Sequence, residues 1–254
     1  FYDASNLSIS NGFGRNRDRY YLEEYFKRKP AINADIQNSA EGTRMIANPD
    51  FELLGLNATT DDVTFSSVTP GIVLETDGGG ADQIIVAPHR DTDQSAWYNI
   101  QWKTQYQVEW ECAIETTNSI ADMAFWAGLK KSEVAETATD TEQAYFMYSS
   151  YATPPGSALA NTTNLFFIYS VAGTDYITDL GITVAADTIY KLRIVFDSDR
   201  KISVFVGSTN SSGVITPMTQ YGLTSTSGTT GTTESNVSSQ SVAITNNVSL
   251  WPFV

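Results

Sequence analysis

Cysteine and histidine are almost missing from this chain of 254 residues, each occurring once, as Cys112 and His89. A single cysteine excludes an intrachain disulfide and any zinc site built on several thiolates, so stability has to come from the core and from contacts between subunits. A single imidazole, beside Pro88, is a poor foundation for triad chemistry, and His89 is read as a loop residue at a strand end. Basic charge is scarce too. Fifteen Lys and Arg stand against 29 Asp and Glu, a net charge of −14, which repels nucleic acid and anionic lipid. Neither nucleic acid nor membrane is an expected partner. Apolar runs such as Asn164-Leu-Phe-Phe-Ile-Tyr-Ser170 fall far short of the roughly 20 residues of a bilayer helix, and no signal-like segment is present. No glycine-rich phosphate loop precedes a helix. Asp77-Gly-Gly-Gly-Ala-Asp82 lies between two predicted strands, where glycine serves a turn with positive φ, and its two carboxylates fall short of a full calcium ligand set. No cofactor and no metal are expected. The opening Phe1 and the abruptly apolar end Leu250-Trp-Pro-Phe-Val254 suggest a fragment of a longer protein.

What is present is apolar and strand-forming. With 41% apolar and 12% aromatic residues the chain can bury a sizeable core, and one all-β domain routinely reaches this length. The expected organisation is an N-terminal arm over residues 1–47 and one sandwich domain over 48–254. Charge divides the chain at nearly the same place: residues 1–44 hold seven basic and six acidic residues, the remainder eight and 23. A nearly neutral arm ahead of a strongly acidic body suggests an arm that docks on a protein surface while the body faces solvent.

Within the arm, Arg15-Asn-Arg-Asp-Arg-Tyr-Tyr-Leu-Glu-Glu-Tyr-Phe-Lys-Arg-Lys-Pro30 sets charge and aromatics at close intervals. Tyr21, Leu22, Tyr25 and Phe26 share a helical face, and Pro30 would stop the helix. Two readings stand: a short helix capping the open end of the sandwich, or a latch onto a neighbouring subunit. The latch would use Arg15, Arg17, Arg19, Tyr20, Tyr21, Tyr25, Phe26, Lys27, Arg28 and Lys29.

From Asn48 onward, short runs rich in Val, Ile, Thr, Phe and Tyr alternate with Gly, Pro, Asn and Asp, and each run reads as a strand. Strands are predicted over 62–66, 71–75, 83–87, 95–101, 106–115, 122–129, 143–150, 164–170, 189–197, 201–207 and 241–245. Short strands with almost no helix between them predict an all-β, antiparallel two-sheet sandwich or a barrel. Alternation sets the faces. Val108, Trp110, Cys112 and Ile114 point inward and Glu109, Glu111 and Glu115 outward; Tyr190, Leu192, Ile194 and Phe196 point inward and Lys191 and Arg193 outward. Asp197-Ser-Asp-Arg200 turns the chain into Lys201-Ile-Ser-Val-Phe-Val-Gly207 as a hairpin partner. The Ser/Thr/Gly/Asn stretch 208–240, with few large apolar anchors, reads as a long loop on the surface or against a neighbour.

Two constellations bear on chemistry. Glu109, Glu111 and Glu115 resemble the paired carboxylates of a glycosidase in spacing, but the middle residue is Glu and the last lies one place too far for the Glu-x-Asp-x-x-Glu pattern of sandwich glucanases. A solvated acidic face is the simpler account, and no catalytic residue is assigned. Trp97, Tyr98 and Trp102 are candidates for stacking on a sugar, although aromatics in a β-rich chain are expected first in strands and core.

The run Val171-Ala-Gly-Thr-Asp-Tyr-Ile-Thr-Asp-Leu-Gly-Ile-Thr-Val-Ala-Ala-Asp-Thr-Ile-Tyr-Lys-Leu-Arg-Ile-Val-Phe-Asp197, with Arg200-Lys-Ile-Ser-Val-Phe-Val-Gly207 after it, resembles the strand–turn–strand portion of concanavalin A-like, laminin G-like jelly rolls of tailed-phage structural proteins. Ala124-Phe-Trp-Ala-Gly-Leu129 resembles one of their core strands, and Leu250-Trp-Pro-Phe253 their closing strand. The resemblance covers roughly residues 50–254. It implies a non-catalytic jelly roll on the outer surface of a virion, as head decoration, fibre or tail appendage, often a homotrimer held to the major capsid protein or another virion protein. The alternative is a lectin-like module that binds surface glycans.

Overall fold

A computed structural model describes Tyr25 and residues 51–56, 62–65, 71–76, 83–88, 102–131, 140–151, 159–228, 231–232 and 241–254. The predicted arm helix, the strand expected over 95–101, His89 and the Asp77–Asp82 turn lie outside the described residues.

The described residues form an all-β sandwich of antiparallel sheets, as the alternation predicts. The strands are β1 (Phe51–Leu56), β2 (Val63–Phe65), β3 (Ile72–Leu74), β4 (Gln83–Pro88), β5 (Trp102–Lys103), β6 (Glu109–Glu115), β7 (Ala124–Lys130), β8 (Gln143–Ser149), β9 (Asn164–Val171), β10 (Thr174–Thr183), β11 (Ile189–Phe196), β12 (Ile202–Thr209), β13 (Ile215–Tyr221), β14 (Gly231–Thr232) and β15 (Ser249–Phe253). One sheet runs β14-β10-β9-β8-β7-β15-β5 and the facing one β13-β12-β11-β6, with two-stranded pairs β1-β4 and β2-β3 beside them. The one parallel pairing among them is β14 on β10. Strand β4 joins the large sheet at its end, where Val86 and Val254 exchange backbone hydrogen bonds at 2.8 and 3.1 Å.

The core between the sheets is built by the predicted inward set. Val108 and Trp110 of the β6 segment and Tyr190, Leu192, Ile194 and Phe196 of β11 meet Phe125, Phe146, Phe167 and Leu250 from the large sheet. Phe146 contacts Phe167 edge to face at 5.0 Å between ring centres, a preferred aromatic geometry. Burying each such ring contributes on the order of 1.5–3 kcal/mol. Gly128 of β7 admits close approach of β8: a Cβ there would lie 2.3 Å from the Ala144 carbonyl oxygen.

Three departures from the sequence reading have physical causes. Residues 208–240 contain β13 and β14; in β13, Thr219 and Tyr221 pair with the inward-facing Val206 and Val204 of β12, a two-residue alternation that a bulge and the surrounding Ser and Thr obscure in the sequence. Residues 241–245 form no strand. Ile244 is buried and its N–H donates to the Arg200 carbonyl, but Ser241 and Val242 are held by side chains: Ser241 Oγ accepts from the Ile202 N–H and Tyr169 Oη from the Val242 N–H. Strand β10 escaped individual prediction because its burial does not alternate cleanly, a bulge falling between Asp179 and Ile182.

Candidate functional site

Of the proposed latch residues, Tyr25 is described and is 57% exposed; Arg15, Arg17, Arg19, Tyr20, Tyr21, Phe26, Lys27, Arg28 and Lys29 lie outside the described residues, as do Trp97 and Tyr98. Trp102 opens β5 and pairs with Leu250 at the edge of the large sheet.

The acidic row takes the position that its alternation dictates. Glu109, Glu111 and Glu115 are exposed on the outer face of β6, an edge strand of the small sheet. Register places Arg193 of β11 opposite Glu111, and its guanidinium meets Glu109 at 2.8 Å and Glu111 at 3.3 Å. The same guanidinium lies 5.5 Å from the Phe205 ring centre on β12, within cation–π range. Among the described residues this is an exposed pleated surface with an arginine between two of its carboxylates, a partly solvated ion-pair network.

The outer face of the large sheet is where an aromatic platform for a sugar would be sought. Tyr145, Met147, Phe166 and Ile168 point there, and all four are fully buried, packed with Ile85, Ile177 and Phe253. Tyr145 meets Phe253 edge to face at 6.1 Å. The polar ends of this face are knitted to themselves. Gln143 Nε2 donates to Ser170 Oγ at 2.9 Å and Ser170 Oγ donates to Asp175 at one end; Asn161 and Asn164 donate to Asp179 at the other. The face is a second core and not an open cleft. Among the residues whose side chains are described, the exposed aromatics are Tyr25, Tyr106 and Tyr151.

Titratable groups follow burial. Desolvation pushes the Cys112 thiol up to about 12, which leaves it protonated and without thiolate reactivity at neutral pH. Desolvation lowers the Lys130 ammonium, and the nearby Asp140 carboxylate opposes it; Lys130 Nζ lies 5.3 Å from the Phe253 ring centre. Among the described residues no three His, Cys, Asp or Glu side chains gather as a metal would need.

Sequence reasoning missed one surface. Strand β13, at the edge opposite β6, exposes Val214 just before it and Ile215 and Met218 on it, at 61%, 69% and 39%. The signal was available as apolar residues between Ser211-Ser-Gly213 and Thr219-Gln220, set in a stretch otherwise poor in them. No family model, curated protein or solved structure matches the chain.

Proposed function

We propose that this chain is a non-catalytic structural protein of a tailed-phage particle, displayed on the virion's outer surface as decoration or fibre and anchored by its N-terminal arm. The observation that carries the reading is the charge division: seven basic and six acidic residues over 1–44 against eight and 23 thereafter. A body so acidic is repelled by like surfaces and by polyanions, whereas a neutral arm rich in Arg and Tyr can dock on a shell protein through hydrogen bonds and aromatic burial. The resemblance of the 171–207 run to jelly rolls of phage structural proteins supports the same assignment. The burial of the large sheet's outer aromatics weighs against the lectin-like alternative.

The test is removal of residues 1–47. The truncated protein is expected to fold as a soluble sandwich and to be missing from purified particles. Incorporation of the truncated protein at full occupancy would overturn the anchoring role.

A further inference from the structure

We draw no further inference here: the strongest candidate, the buried Glu142 carboxylate under the β9–β10 turn, whose Oε2 finds no hydrogen-bond partner among the described residues while Oε1 accepts from Ala172 and Thr245, carries nothing because among the described residues no group of three His, Cys, Asp or Glu gathers to hold an ion there.

Discussion

Glu142 lies beneath the β9–β10 turn and accepts the Ala172 backbone N–H at 2.9 Å on Oε1, the same oxygen that accepts the Thr245 hydroxyl. Ala172 and Gly173 form this turn with φ of 49° and 80°, between Val171 and Thr174, which pair directly. Positive φ at both central residues is the signature of a type I′ hairpin, which favours Asn-Gly. Alanine in this region costs roughly 1–2 kcal/mol, and the buried carboxylate holds it there while tying the hairpin to the 241–248 segment.

Ala172→Asn is therefore expected to raise stability by roughly 0.5–1 kcal/mol, since Asn tolerates the left-handed region, and Glu142→Ala to lower it by about 1–3 kcal/mol. Urea unfolding midpoints check both. A loss of stability in Ala172→Asn would contradict this account of the turn.

Tyr169 gives the pH dependence. Its hydroxyl donates to the Thr224 carbonyl at 2.7 Å and accepts the Val242 N–H at 3.0 Å, so that two distant loops hang on one phenol. Burial raises its pKa from 10.0 to about 12, against the opposing Val242 hydrogen bond, and burial raises Cys112 from 9.0 to about 12. For a group whose folded pKa is raised, the unfolded chain loses its proton first as pH climbs, so the stabilisation is whole below the unfolded value and drains away up to the folded one. Chemical denaturation at stepped pH is expected to show stability falling from about pH 9 to about pH 12 from these two groups. Tyr169→Phe is expected to cost about 1–3 kcal/mol at neutral pH and to flatten the alkaline slope. An unchanged slope would exclude Tyr169 as its source.

Arg193 should matter little for stability despite its central place. The side chains in its ion pairs with Glu109 and Glu111 are 34% to 58% exposed, and such pairs contribute less than about 1 kcal/mol. Arg193→Ala is expected to shift the urea midpoint only slightly, with the difference shrinking further in high salt. A loss of several kcal/mol would show that the network is buried in the assembled protein.

The parts of the fold legible in the sequence are those where one face is dry and the other wet. Trp110 and Glu111, or Leu192 and Arg193, announce their faces by chemistry, and β6 and β11 take the predicted orientation. Strand β8 was legible as a strand but not as two-sided: every residue of Gln143–Ser149 is buried, because both faces of the large sheet carry a core, and alternation says nothing where there is no wet face. Strand β13 was faint for the opposite reason: its residues 215–218 are exposed, so its few apolar residues show no dry face against a wet one.

The measurement that bears most directly on the central claim is immunogold electron microscopy of intact phage particles, using antibody raised against residues 48–254. The account predicts labelling on the outside of unbroken virions, in a symmetric pattern, with no disruption required. Unlabelled intact particles, with the antigen recovered elsewhere in the infected culture, would contradict display on the virion.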